Sequence, residues 1–105
     1  MFGDLFGDME AKQQALRERL AKINLEAESG DGAVKVTANA NREIVNLSLS
    51  DDLLAAEDRE QLEDLIVVAV NRALDLAAAK EAEENQELLK SMLPPGLEGL
   101  GGMFG

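Results

Sequence analysis

The run Leu65-Ile66-Val67-Val68-Ala69-Val70 constrains this chain most, because it lies in a stretch that reads as a helix and leaves almost no face for water. A helix with one wet side carries its apolar residues as a stripe three and four positions apart. One that is apolar nearly all round must be covered on more than one side. Leu62 to Leu76 is such a segment. A chain of 105 residues has room for one domain and buries only a modest core. Its three aromatic residues, Phe2, Phe6 and Phe104, lie near the chain ends, so that core must be aliphatic. So small a core gains from a second copy of itself, and a homodimer is expected.

The flanking segments sharpen this reading. Phe2, Phe6, Met9, Gln13, Leu16, Leu20 and Ile23 alternate in steps of four and three, which predicts a first helix over about Asp4 to Ala27 with a narrow heptad seam. Gln13 either sets register in that seam or sits at a wet edge. Asp8 with Lys12 and Glu18 with Lys22 are acid-then-base pairs four apart, the favourable order on an exposed helix face. Leu25 and Ala27 alternate with Glu26 and Glu28, and fit either the end of that helix or a first strand. Ser29-Gly30-Asp31-Gly32 is a turn. Val34, Val36 and Ala38 mark one strand and Val45, Leu47 and Leu49 another, joined so closely through Asn39-Ala40-Asn41 that they form an antiparallel hairpin.

Ser50 can cap a short turn over Leu53 and Leu54, and a second long helix begins near Asp58. Its later part, Ala77 to Lys90, is rich in Ala and Glu and is expected to project as an arm. Pro94-Pro95 stops it. The fold class is therefore α+β: a long N-terminal helix, a two- or three-stranded antiparallel sheet and a long C-terminal helix. A single domain is expected over 1–93, followed by a flexible Pro/Gly-rich tail over 94–105. The surfaces left for a second copy are Val45, Leu47 and Leu49 on the sheet and Leu62, Leu65, Ile66, Ala69 and Val70 on the helix.

The chain has neither Cys nor His, which removes thiol nucleophiles, imidazole bases, disulfides and the usual zinc ligands. Acidic neighbours such as Asp51/Asp52, Glu57/Asp58, Glu63/Asp64 and Glu83/Glu84 point about 100° apart on a helix and do not converge, so they read as solvated faces. Gly30-Asp31-Gly32 precedes a strand and is too short to cradle a phosphate. No catalytic residue, metal site, cofactor or small-molecule substrate is expected, and no enzyme. With no charged segment leading into an apolar one, and no stretch of 18 apolar residues, neither secretion by the common route nor a membrane span is expected, but a cytoplasmic protein.

The net charge of −11 is unevenly spread. Residues 1–28 hold six acids and four bases, residues 29–50 balance, and residues 51–93 hold twelve acids against four bases. Lys12, Arg17, Arg19 and Lys22 supply the positive charge of the first helix, Lys35 and Arg42 lie on the hairpin, and Arg72, Lys80 and Lys90 lie further along.

One order of motifs carries a resemblance. A charged heptad helix leads into Gly32-Ala33-Val34-Lys35-Val36, then Val45-Asn46-Leu47-Ser48-Leu49, then Leu62-Glu63-Asp64-Leu65 running on to Asn71, and Leu93-Pro94-Pro95-Gly96 closes it. Over residues 1 to 97 this resembles the YbaB/EbfC family of nucleoid-associated proteins. The resemblance implies a tweezer-like homodimer whose sheets and helix starts form a shared core. It implies binding of duplex DNA with low sequence specificity, a change in DNA conformation, and a place in the nucleoid. By position, the arm residues that would grip DNA are Lys12, Arg17, Arg19, Lys22, Lys80 and Lys90. The other reading is an acidic interaction module that docks onto recombination, repair or replication proteins through its arms or tail. Two features depart from the family pattern. Asn39-Ala40 stands where the family often has Asn-Gly, and Ala tolerates positive φ poorly, so a different turn is expected. The acidity means that each phosphate contact in a dimer works against twice −11 unless the bases cluster on the arms.

Overall fold

A computed structural model describes residues 2–92, with side chains described from Phe6 onward. Its elements are α1 (Phe2–Ala21), β1 (Asn24–Ser29), β2 (Val34–Asn39), β3 (Ile44–Leu49), α2 (Asp51–Ala55) and α3 (Arg59–Met92). The three strands form one antiparallel sheet in the order β1-β2-β3. The tail expected over 94–105, with its Pro94-Pro95 stop, lies outside the described residues, as does the Phe2 side chain at the tip of the heptad seam.

The first helix ends six residues earlier than the heptad pattern predicts. Lys22 and Ile23 donate to the Arg19 and Leu20 carbonyls at 3.1 Å each, a tightening of the last turn that frees the chain to extend. Leu25, Ala27 and Ser29 then take one face of β1, opposite Ala38, Val36 and Val34 of β2. The alternation of Leu25 and Ala27 with acids is thus a strand, and Lys22 lies beyond the helix rather than on it. Pairing decides it: residues 24–29 meet a ready partner edge, which a helical continuation would leave bare.

Both tight turns place positive φ where a local reason exists. Gly30 and Gly32 have φ of 61° and 88°, and a Cβ on Gly30 would stand 2.9 Å from Leu65 Cδ1, so that glycine also admits α3. Between β2 and β3 the left-handed residue is Arg42, at φ 63°, and not Ala40. The Asn39 side chain organises this turn. Its Oδ1 accepts from the Asn41 and Glu43 amides at 3.0 and 3.2 Å. Ala40 is buried, and its amide donates to the Leu20 and Ile23 carbonyls, closing off the end of α1. The departure from Asn-Gly therefore gives a different turn with a small buried residue pinned under a helix end.

Ser50 caps α2, accepting from the Leu53 amide at 3.1 Å, and Asp58 caps α3 by accepting from the Gln61 amide at 3.0 Å. The helix that follows runs 34 residues, about 50 Å at the α-helical rise. Its first half lies across β1 and β2. Ala69, Ala73 and Ala77, spaced by four, are fully buried against Ala27, Val34, Val36 and Ala38. Small side chains along this stripe let the helix backbone approach the sheet closely. Two contacts hold the β1 side: Ser29 Oγ donates to the Leu65 carbonyl at 2.6 Å and Arg72 Nη1 donates to the Glu28 carbonyl at 2.8 Å. Among the described residues only Val34 and Val36 are large and fully buried, so the core is thin.

Ala73→Leu should overfill the contact between α3 and the sheet. The expected loss is about 1–3 kcal/mol in a urea unfolding curve, while the same change at exposed Ala78 should cost less than about 0.5 kcal/mol.

Candidate nucleic-acid interface

Two surfaces emerge from this arrangement. The first is an arm. The second half of α3 runs on past the sheet, and α1 lies antiparallel to it: Met9, Leu16 and Leu20 of α1 and Glu81, Leu88 and Met92 of α3 line one groove of about 520 Å³. The seam that the heptad pattern predicted is the face α1 turns to α3. Contact tightens toward the sheet, with Leu20 at 4% exposure and Phe6, at the far end, at 62%. Asn41 Nδ2 donates to the Arg17 carbonyl at 2.9 Å, and Arg42 pairs with Glu81 at 3.4 Å, so the β2–β3 turn braces both helices at the base of the arm. The expected arm therefore exists, but as a pair of helices and not as a bare extension of one. Gln13 lines the groove between them and is exposed.

The six arm cations fall into two groups. Arg19 and Lys80 are engaged by acids of α3: Arg19 Nη2 stands 2.7 Å from Glu84 Oε2, and Lys80 Nζ is 3.5 Å from both Glu83 and Glu84. Lys12, Arg17, Lys22 and Lys90 make no ion pair among the described residues, and all four are exposed. Position in sequence gave no sign of the Arg19 contact, because Glu84 meets Arg19 only across the interhelical seam, whereas Lys80 pairs with acids three and four positions on along its own helix. Glu83 and Glu84 themselves diverge, the first exposed and the second buried, as adjacent helical residues do.

The second surface is apolar. Because α3 covers β1 and β2 and scarcely reaches β3, the inward face of β3 is left largely uncovered, with Leu49 alone half-buried against the core. Leu47 and Leu49 lie opposite Val36 and Val34, on the face that α3 packs against. A register shift at Thr37/Ala38 makes Ile44 the partner of Ala38 and leaves Val45 as the extra residue of a bulge. Ile44, Val45 and Leu47 are 44%, 55% and 40% exposed. Val67, at 58%, and the half-buried Leu74 repeat at seven with Glu81, which reaches Arg42 at the start of β3, so this side of α3 looks toward β3. Of the helix residues expected to meet a second copy, Leu62, Leu65, Ile66 and Val70 are half-buried against the chain's own core. Ala69 is fully buried within that core. Ile44 and Val67 are exposed apolar residues beyond those singled out from the sequence. Val67 was legible as part of the all-round apolar run, whereas Ile44 depends on the bulge.

Among the described residues, no group of three or more acids, Cys or His is placed to hold a metal ion, and no helix is long and apolar enough to cross a membrane.

Comparison with known proteins agrees with this geometry. The model of the YbaB/EbfC DNA-binding family matches residues 3–92. A nucleoid-associated protein of Pseudothermotoga lettingae is 40% identical, with 95% of this chain and 87% of that protein covered. One from Rhodopseudomonas palustris is also 40% identical, covering 89% and 88%. The crystal structure of the uncharacterized protein HP0035 from Helicobacter pylori superposes with a TM-score of 0.74 at 26% identity, over 84% of this chain and 92% of that one. With its helix–sheet–helix order, its two-helix arm and a family match across nearly the whole described chain, this protein belongs to the YbaB/EbfC DNA-binding family.

Proposed function

We propose that this protein is a nucleoid-associated protein that binds duplex DNA as a homodimer, with low sequence specificity, and changes the path of the DNA it holds. The observation that carries the proposal is the uncovered face formed by β3 and the adjoining side of α3, in a family whose model is a DNA-binding one. Ile44, Val45 and Leu47 are exposed apolar residues on the edge strand β3 and Val67 is exposed on α3, and a second copy offers the same surface about a twofold axis. Joining there leaves both two-helix arms outside the shared core. Each arm presents Lys12, Arg17, Lys22 and Lys90 free of ion pairs among the described residues.

Binding through such cations is a matter of phosphates. Lysine is a point charge without the fork that reads a guanine edge, so three lysines and one arginine per arm favour backbone contact over base readout. Two arms that hold one duplex at separated places also set its course between them, which is how conformation changes without a sequence code. The acidity of α3 keeps the interaction modest and sensitive to salt.

Two measurements test the proposal. In a gel shift, affinity for random-sequence duplex should fall by an order of magnitude or more between about 50 and about 200 mM salt. Replacing Lys12, Arg17, Lys22 and Lys90 with Ala should weaken binding roughly tenfold or more on every sequence tried and flatten the salt slope by about 1 per lost phosphate contact. A variant that binds like the parent overturns the assignment of the arm. A parent that binds no duplex at about 50 mM salt leaves the acidic docking module as the better reading. For the dimer, sedimentation at about 10 μM should give twice the mass of one chain, and Val45→Glu with Val67→Glu should give a folded or unfolded single chain. A compact single parent chain overturns the dimer.

A further inference from the structure

Glu84 is the one acid among the described residues that is buried, its side chain 7% exposed at the seam between α1 and α3. It lies in a groove of about 440 Å³ with Lys12, Leu16, Arg19, Glu87 and Leu88. Arg19 reaches it from α1 at 2.7 Å and Lys80 from one turn earlier on α3 at 3.5 Å. Arg19 nevertheless stays 65% exposed, so the guanidinium forms a roof over the carboxylate with its outer side in water. The close oxygen, Oε2, is wholly buried and accepts no well-directed hydrogen bond despite the short contact. Its hold on Arg19 is charge attraction in a poorly hydrated place, where unit charges interact strongly.

A phosphate oxygen approaching Arg19 or Lys80 offers the same chemistry that Glu84 already supplies: an anionic acceptor for a guanidinium or an ammonium. The two anions compete. We infer that Glu84 sets the DNA affinity of the arm by withholding Arg19 and Lys80 from phosphate, an affinity-determining residue that itself lies buried beneath the contact surface. This inference rests on the DNA-binding reading above. It also accounts for the division of the arm cations, since Arg19 and Lys80 are the two that Glu84 reaches. Exposed acids such as Glu87 lack this hold, because water and salt screen them and no ion pair joins Glu87 to a cation among the described residues.

The test is a titration of random-sequence duplex with the parent and with Glu84→Gln, which keeps the shape and removes the charge. E84Q should bind roughly three- to tenfold more tightly at about 100 mM salt, with a salt slope steeper by about 1 to 2 as released cations take up phosphates. Glu87→Gln, the same change of net charge one turn further on, should shift affinity less than about twofold. Adding Arg19→Ala to E84Q should remove most of the gain, the coupling expected of residues in direct contact. Glu84→Met, an apolar replacement of similar length for a site walled by Leu16 and Leu88, should reproduce the gain and serves if E84Q folds poorly by circular dichroism. If the parent binds DNA and neither replacement binds more tightly, or E87Q gains as much as E84Q, the inference falls and the DNA reading stands. If neither the parent nor E84Q binds duplex at about 50 mM salt, both fall.

Discussion

The close packing of α3 on two strands of a three-stranded sheet governs the rest of this molecule. Ala69, Ala73 and Ala77 bring the helix down onto Val34, Val36 and Ala38. Because it sits over β1 and β2, one helix has no width left for β3. A helix with side chains is about 10 Å across and two strand spacings take up most of that, so the third strand stays bare. The apolar residues of β3 and the neighbouring side of α3 are thereby left facing water, a costly state that association relieves.

The same geometry makes the arm. A 34-residue helix seated by its first half on a six-residue strand must overshoot the sheet, and an unsupported helical extension of this length is marginal in water. α1 supports it. Its seam residues Leu16 and Leu20 lie against α3, and Ala40, Asn41 and Arg42 tie the pair to the β2–β3 turn. The turn that departs from Asn-Gly is thus structural: the buried Ala40 closes the end of α1 while Arg42 bears the positive φ and faces Glu81.

Charge on this chain is organised by position in space more than by amount. A net −11 looks hostile to a polyanion, yet several acids of the arm are already spent on neighbours: Glu81 on Arg42, Glu83 on Lys80, and Glu84 on Arg19 and Lys80. Those pairs lower the repulsion that a phosphate meets, but they also tie up cations. Only burial separates the two effects. An exposed pair opens readily in salt, whereas the pair at Glu84 is sheltered by the seam.

Element order, antiparallel pairing, the glycine turn, the Ser50 cap and the start of α3 near Asp58 were all legible in the sequence, because each rests on local periodicity or on a residue whose own backbone preference decides it. The over-apolar run Leu65 to Val70 also marked a helix with more apolar surface than one sheet covers, and Val67 and Val68 stay exposed. What local pattern could not settle was every choice made between distant segments. Residues 24–27 are a strand because β2 offers an edge; Ala69 is core because α3 lies where it does; Ile44 stands opposite Ala38 because a bulge shifts the register. The engagement of Arg19 is of the same kind, whereas Lys80 meets acids one turn along its own helix. An ion pair across 65 positions, from Arg19 to Glu84, is set by the packing of two helices, and side-chain periodicity along one helix carries no information about the charge it will meet on another.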